Sequence, residues 1–266
     1  MKALLVATVQ SHICQFHKPL VAMLHEHGCE VHVAARNNLA EKNGLKLDFV
    51  EQVFAVPFQR SPFSPKNLGA YKQLKKIIDD GGYDVIHCNT PVGGVVGRLA
   101  ARKVRKRGTE VFYTAHGFHF YKGAPKKNWL IWYPVEKFMC RYTDKLITIT
   151  QEDYDLASAK FSTRVEHIHG VGANAAKYRK LSEAECVELR HELGYAEDDK
   201  LLLCTGELLP NKNQITAIRA LKILIKQQPK AKLLLAGNGP TLAELQAEVV
   251  VLALQNYVES LGYRTD

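Results

Sequence analysis

Short apolar runs alternate with stretches of helical periodicity along the first 170 residues. The runs predict buried strands, and they lie at residues 2–9, 31–35, 49–57, 83–87, from 111 to about 115, 145–150 and 165–169. Between the first two runs, apolar residues recur at helical spacing over residues 19–27, and Gly28 then stops the predicted helix. Strands that alternate with helices favour right-handed βαβ units, so this half predicts an α/β fold with a parallel sheet.

The same alternation resumes in the second half of the chain. Predicted strands cover residues 200–205, 232–237 and 257–262, and helices are predicted over residues 183–193, 214–227 and after Pro240. The Gly170-Val-Gly172 segment reads as a hinge between the halves. A length of 266 residues also suits two domains, which we place at residues 1–170 and 171–266.

Composition indicates a globular protein with thiols rather than disulfides. The chain is 46% hydrophobic and 24% charged, and its six cysteines include no C-x-x-C pair. We therefore expect reduced, largely buried cysteines, and the absence of H-E-x-x-H argues against a metal held by the protein. No apolar run approaches the ~18 residues of a membrane span, and residues 1–9 lack a cleavage site, so we expect a cytoplasmic protein.

A net charge of +9 implies an anionic partner, which could be a nucleic acid, a phosphorylated substrate or an acidic membrane surface. The basic run at residues 98–107 is more simply a solvated helix end, because cations there oppose the negative end of the helix dipole. No recognition motif supports nucleic acid binding. The predicted helix at residues 128–142 places Trp129 and Trp132 beside lysines, which suits either a membrane interface or a core-facing helix with a solvated lysine face.

Candidate chemistry in the first half centres on His116. The run from Val111 stops at Thr-Ala-His-Gly, so a predicted strand delivers this histidine to its carboxyl end, where ligands bind in parallel sheets. Gly117 allows an unusual backbone conformation, and three aromatic residues, His119 and Lys122 follow. A structural hydrogen-bonding role for the histidine stays open.

Residues 88–94 and 10–17 are predicted as further loops at this edge. The loop at residues 10–17 contains no glycine, which argues against a Rossmann dinucleotide loop.

The second half offers a candidate phosphate site. Residues 207–214 read E-L-L-P-N-K-N-Q and lead into a predicted helix, so Lys212 lies beside N–H groups at a helix start. One cation and helix-end donors outline a diphosphate site. A tight turn, Gly237-Asn-Gly-Pro240, follows the next predicted strand at the same sheet edge.

Five segments together resemble family 4 glycosyltransferases, most closely those that build bacterial capsule and exopolysaccharide. The segments are Tyr113-Thr-Ala-His-Gly, Gly170-Val-Gly172, Thr205-Gly-Glu-Leu-Leu-Pro-Asn-Lys-Asn, Gly237-Asn-Gly-Pro and Leu261-Gly-Tyr-Arg. The resemblance implies the GT-B fold, in which two Rossmann-like domains flank the active site. It also implies a nucleotide-diphosphate sugar as donor, retention of anomeric configuration and no metal or other cofactor.

Residue by residue, the resemblance places His116 near the transferred sugar as the catalytic residue. The donor-binding residues that it implies are Glu207, Lys212, Asn213, Gly237, Gly239, Pro240, Tyr263 and Arg264. On the acceptor side it implies Ser11, His12, Gly117, Phe118, His119, Tyr121 and Lys122. Many members carry an arginine where this chain has Glu207, so Lys212 would carry more of the phosphate contact.

Family members also carry two glutamates, separated by seven residues, after the Leu-Gly-Tyr strand. This sequence ends at Asp266, before that region and before the closing helices. We therefore expect an incomplete second domain and a truncated enzyme. In complete form it would move a sugar from a uridine-diphosphate donor to a lipid-linked glycan at the cytoplasmic membrane face.

Three alternatives stay open at this point. The chain could be a non-catalytic binding protein for a nucleotide sugar or acceptor, including half of a two-chain enzyme. It could be a sugar-nucleotide epimerase of the same GT-B shape. A nucleic-acid binder rests only on the charge and is the weakest of the three.

Overall fold

A computed structural model describes residues 1–41, 45–172 and 179–264. The chain divides into two compact units, residues 1–173 and 174–266.

The first unit is built on a parallel sheet. Within the described residues its strands are β1 (Lys2–Val9), β2 (Glu30–Arg36), β3 (Gln52–Ala55), β4 (Val85–Asn89), β5 (Glu110–Ala115), β6 (Lys145–Thr148) and β7 (Arg164–His167). Their order is β3-β2-β1-β4-β5-β6-β7, and every pair is parallel. The predicted α/β class is confirmed. The order reverses between β1 and β4, which is where parallel sheets open a crevice for ligands.

Helices cover both faces of this sheet. They are α1 (Gln10–Phe16), α2 (Lys18–Glu26), α3 (Asn67–Gly81), α4 (Pro91–Arg105), α5 (Lys126–Met139) and α6 (Gln151–Lys160). Along β1, Leu4 and Val6 pack into one hydrophobic cluster, whereas Leu5 and Ala7 pack into another. The continuous apolar run from Ala3 to Ala7 therefore fits this strand, because both of its faces are buried.

The predicted loop at residues 10–17 is wrong, because α1 begins directly at the end of β1. None of residues 10–16 is glycine or proline, so the backbone continues into a helix without a break. Ile13 and Cys14 are buried and hold this short helix to the unit. The polar residues of the segment thus sit on a helix at the sheet edge.

The predicted loop at residues 88–94 is also wrong in its extent. Cys88 and Asn89 belong to β4, and α4 begins at Pro91, so Thr90 alone connects them. Proline suits the first helical position because its N–H would be unsatisfied there anyway. Thr90 has a φ of 63°, and its Oγ1 accepts a hydrogen bond from the Thr8 N–H at 2.9 Å. The tie to β1 holds this unusual conformation in place.

The prediction that the basic run at residues 98–107 is a solvated helix end is wrong for Arg98. Its side chain is fully buried, and its Nη2 donates to Glu136 Oε2 at 2.8 Å. The exposed residues Arg102 and Lys103 do fit the prediction. Helical spacing turns Arg98 inward toward α5, which a count of basic residues along the chain does not reveal.

The second unit contains a smaller parallel sheet. Its described strands are β8 (Lys200–Thr205), β9 (Ala231–Ala236) and β10 (Val258–Gly262), in the order β10-β9-β8. Its helices are α7 (Glu183–Glu192), α8 (Gln214–Leu224) and α9 (Leu242–Val251). A core that includes Leu208, Ile218 and Leu235 joins helices and sheet. Leu203 on β8 is 64% exposed.

Two further predictions can be checked on the described residues. All six cysteines are free, and four of them are buried, as expected. None of the described helices has the length and apolar character needed to cross a bilayer.

Candidate active site

Four polar side chains converge at the carboxyl edge of the first sheet. His116 directly follows β5, and its Nε2 lies 3.2 Å from His12 Nε2 on α1. The same His116 atom lies 3.4 Å from Asn89 Oδ1 at the end of β4, and His17 Nε2 lies 3.0 Å from that oxygen. His116 and His12, two of the site residues predicted from the sequence, therefore lie together at this edge. His17 and Asn89, which were not predicted, lie beside them.

Burial keeps these imidazoles neutral. Desolvation, together with the repulsion that a protonated His17 would exert, lowers the pKa of His116 to about 4. Desolvation, together with the repulsion that protonated His116 and His17 would exert, lowers the pKa of His12 to about 3. Desolvation likewise lowers the pKa of His17. Near neutral pH, His116 thus presents an uncharged ring that can donate or accept a hydrogen bond, rather than an imidazolium acid.

A further histidine, His87, lies buried within the sheet near this edge. His87 on β4 is buried, its Nε2 lies 2.7 Å from Thr114 Oγ1 on β5, and burial lowers its pKa to about 3. Sequence reasoning missed His17, His87 and Asn89. A parallel pairing of β4 with β5 could have found Asn89, because it lies opposite Thr114, two residues before His116.

Ser11 and Gly117 flank the histidines. Ser11 is buried, its N–H donates to Asn38 Oδ1 at 3.1 Å, and its Oγ accepts from Asn38 Nδ2 at 2.9 Å. Gly117 has a φ of 111°, in the region that favours glycine, so the chain can turn sharply after His116. Ser11 fixes α1, and Gly117 lets the following loop leave the sheet.

The loop after Gly117 divides its side chains between core and solvent. Phe118 is buried and stacks on Phe120 with ring centroids 4.7 Å apart, so both rings anchor the loop to the core. His119, Tyr121 and Lys122 are exposed, and the Lys122 N–H donates to Glu152 Oε1 at 2.7 Å. Of the predicted acceptor-side residues here, Phe118 therefore faces the protein and the other three face solvent.

A cavity of about 280 Å³ opens beside this loop in the first unit. Its lining includes Arg60, Pro91, His119 and Trp132, together with Thr8 from β1. The rings of His119 and Trp132 stack with centroids 4.8 Å apart. The cavity thus combines an aromatic platform, apolar walls and one exposed cation.

In the second unit, two glycines let the loops after β8 and β9 touch. A Cβ on Gly237 would collide with the Gly206 carbonyl oxygen, and one on Gly239 would collide with the Leu208 carbonyl oxygen. The Leu208 N–H donates to the Asn238 carbonyl at 3.0 Å across the same contact. Both positions therefore require glycine for backbone packing, whatever else they do.

Lys212 lies in the exposed segment that leads into α8. It ends a short 3₁₀ helix, Pro210–Lys212, and Asn213 follows with a φ of 56° as the residue before the helix. The Glu207 carbonyl accepts from Gln214 Nε2 at 3.1 Å, which ties the loop to the helix start. The first N–H groups of a helix have no partner within it, so they add to the positive potential near Lys212.

The remaining predicted donor residues lie at the same edge of this unit. The Gly262 carbonyl at the end of β10 accepts from the Gly237 N–H at 2.7 Å. Tyr263 and Arg264 follow and are exposed, as is Pro240. The loops after β8, β9 and β10 thus bring the predicted donor residues to one sheet edge.

Comparisons with known proteins agree with this arrangement. Residues 2–150 match the family described as glycosyl transferase 4-like, and residues 187–266 match glycosyl transferases group 1. EpsD of Bacillus subtilis (strain 168), which carries a glycosyltransferase designation, is 45% identical over 267 residues, covering 100% of this chain and 68% of that protein. The UDP-Gal:alpha-D-GlcNAc-diphosphoundecaprenol alpha-1,3-galactosyltransferase of Escherichia coli is 25% identical over 240 residues, covering 86% of this chain and 61% of that protein.

Among solved structures, Anabaena HepE in complex with UDP and glucose superposes with a TM-score of 0.72 at 21% identity. The match covers 100% of this chain and 70% of that one, and it shows the GT-B fold. The chain belongs to the glycosyltransferases of this family and fold, and it spans about two thirds of the lengths of these relatives.

Proposed function

We propose that this glycosyltransferase moves a sugar from a UDP-sugar to a lipid-linked glycan, with retention of anomeric configuration, in exopolysaccharide or capsule synthesis. The observation that carries the proposal is the edge formed by Lys212, the start of α8 and the Gly237–Gly239 turn, which suits a diphosphate. The E. coli relative is named for a UDP-galactose donor and a diphosphoundecaprenol-linked acceptor, and HepE was solved with UDP. Both support the choice of substrates.

Replacing Lys212 with alanine is expected to weaken UDP binding by about ten- to a hundredfold. A hydrogen bond to a charged group contributes about 1.5–3 kcal/mol, and 1.4 kcal/mol is tenfold in affinity. Isothermal titration of the chain with UDP measures the change. Lys226→Ala is the matched control, because Lys226 is also an exposed lysine and lies just past α8. Equal affinities for the two variants would contradict a phosphate contact by Lys212.

The cavity in the first unit suits the acceptor. Trp132, stacked on His119, offers a flat aromatic surface of the kind on which a sugar ring can pack. Arg60 at the same cavity offers a fork of donors that matches a diphosphate group. The exposed Tyr121 and Lys122 extend this surface along the loop. Sugar and diphosphate are the two parts that a lipid-linked acceptor presents.

Helix α5 supports contact with an anionic membrane. Trp129, Trp132 and Tyr133 pack against the core, whereas Leu130 is 77% exposed. Ile131 and Phe138 are also exposed, and so are Lys126, Lys127 and Lys137. Trp129 and Trp132 thus lie against the core, with Trp132 also lining the cavity, and the exposed aliphatic residues between the lysines form the surface that we assign to the inner face of the cell membrane.

Leu130→Glu is expected to lower binding to vesicles that contain anionic phospholipid by at least about tenfold. Burial of a leucine side chain contributes about 1.5–3 kcal/mol, and the introduced carboxylate adds repulsion. Flotation with phosphatidylglycerol vesicles measures the bound fraction. Leu68→Glu is the control, because Leu68 is another leucine that is 66% exposed but lies on α3. A Leu130→Glu variant that floats as well as Leu68→Glu would remove α5 from the contact.

Product analysis tests the proposed function itself. The chain is incubated with UDP-sugars and a polyprenyl-diphosphate-linked glycan in the presence of a chelator. We expect a lengthened glycan whose new linkage keeps the donor's anomeric configuration, because the proposed reaction needs no metal. An epimerised nucleotide sugar would instead indicate an epimerase, and bound donor without product would contradict sugar transfer by this chain. Nucleic acid has no part in the proposal.

A further inference from the structure

Three histidines of the first unit lie close enough to share one metal ion. His12, His17 and His116 each offer a ring nitrogen, and these three atoms lie within 4.8 Å of one another. Two nitrogens bound to one tetrahedral zinc lie about 3.3 Å apart, given Zn–N bonds of about 2.0–2.1 Å. The His12 and His116 Nε2 atoms are already 3.2 Å apart.

His17 supplies an independent indication. The ring is buried, and its Nδ1 makes no hydrogen bond of normal geometry among the described residues, although the backbone of His12 lies close enough to favour the protonated ring. A buried polar nitrogen that is poorly satisfied costs free energy, and a metal ion that accepts the lone pair of a deprotonated Nδ1 would satisfy it. His17 Nε2 approaches Asn89 Oδ1, which fits the second-shell contact that orients metal-binding histidines.

The donor set selects the class of ion. Three imidazoles without a carboxylate or thiolate suit zinc and its first-row neighbours, whereas magnesium and calcium require oxygen ligands. His12 and His116 are only partly buried, so a hydrated ion can reach them. We propose that His12, His17 and His116 bind one zinc-class divalent ion, with water completing the coordination.

The ion would compete with sugar transfer. His116 is the residue that we place against the transferred sugar, and a coordinated imidazole can no longer make that contact. Inhibition by zinc rests on the proposed function, whereas zinc binding does not. The site is therefore an inhibitory one, distinct from a catalytic metal centre.

Zinc binding is tested on the purified chain without substrates. Competition against a chromophoric chelator is expected to show one zinc ion per chain. His12→Ala and His17→Ala should each weaken it by more than about a hundredfold, since loss of an outer-shell partner alone costs about ten- to a hundredfold. His169→Ala is the matched control, because His167 and His169 form another close histidine pair, with ring centroids 4.9 Å apart.

X-ray absorption on the zinc-loaded wild-type chain provides a measurement that needs no variant. It should show three imidazole nitrogens at about 2.0–2.1 Å. Absence of stoichiometric zinc binding would overturn the proposal, and so would an affinity that His12→Ala leaves unchanged. If zinc binds as expected but no sugar is transferred, only the proposed function fails. If sugar is transferred but zinc does not bind, only the metal site fails.

Discussion

Replacing Glu136 with leucine is expected to lower the free energy of unfolding by about 3–5 kcal/mol. Glu136 is buried on α5 and accepts from Arg98 Nη2 at 2.8 Å. Loss of one partner leaves the other charge buried and uncompensated, and measured costs of that kind fall in this range. Burial opposes the charge on Arg98, but the Glu136 carboxylate, together with Tyr113 and Cys88, offsets it and raises the pKa of the guanidinium.

The rest of the Arg98 environment cannot replace that carboxylate. Arg98 Nε donates to the Gly94 carbonyl at 2.9 Å, and the guanidinium lies 3.8 Å from the ring centroid of Tyr113. Its Nη1 has no hydrogen-bond partner among the described residues. The pair thus joins α4 to α5 and to β5, the strand that His116 directly follows. Loss of Glu136 should loosen the support beneath the candidate site.

Denaturant unfolding of three variants measures the effect. Lys137→Ala is the control, because Lys137 is the exposed neighbour of Glu136 on the same helix. The double variant Arg98→Met, Glu136→Leu should be more stable than Glu136→Leu alone, since an apolar pair removes the stranded charge. A Glu136→Leu variant as stable as Lys137→Ala would show that Arg98 does not depend on this carboxylate.

Periodicity predicted most of the fold because each element carries its pattern locally. The strand at residues 2–9 and the helix that stops at Gly28 are confirmed to within about a residue. The errors lie at connections, where the pattern is weak. Residues 10–17 look polar enough for a loop, yet nothing in residues 10–16 interrupts a helix, and five of the eight residues are buried: Gln10, Ser11, Ile13, Cys14 and His17.

The candidate site was predicted only in part, because its residues meet through the topology. His116 is visible from its place at a strand end, but His17 and Asn89 join it only once β4 and β5 are paired and α1 is a helix. Phe118 looked like part of a binding loop, and its ring instead packs in the core. Aromatic residues in a loop serve both purposes, and sequence alone does not separate them.

The neutral state of His116 defines what the ring can do for transfer. An imidazole with a pKa of about 4 does not protonate a leaving group near neutral pH. It can instead form a hydrogen bond with a hydroxyl of the transferred sugar while positive charge develops on the ring of that sugar. A hydrogen bond that strengthens as the transition state forms raises kcat without tightening donor binding. The contact with His12 Nε2 at 3.2 Å holds the imidazole in place for that contact.

His116→Ala is therefore expected to lower kcat for sugar transfer by about a hundred- to a thousandfold, the range for loss of one preorganised hydrogen-bonding group. The dissociation constant for the UDP-sugar should change far less, because the diphosphate contact that we assign to Lys212 is retained. Initial rates give kcat, and isothermal titration gives the donor affinity. His116→Gln should recover part of the rate, and His191→Ala, an exposed histidine on α7, should retain all of it. An unchanged kcat, or a loss of rate explained wholly by weaker donor binding, would show that His116 does not act on the transferred sugar.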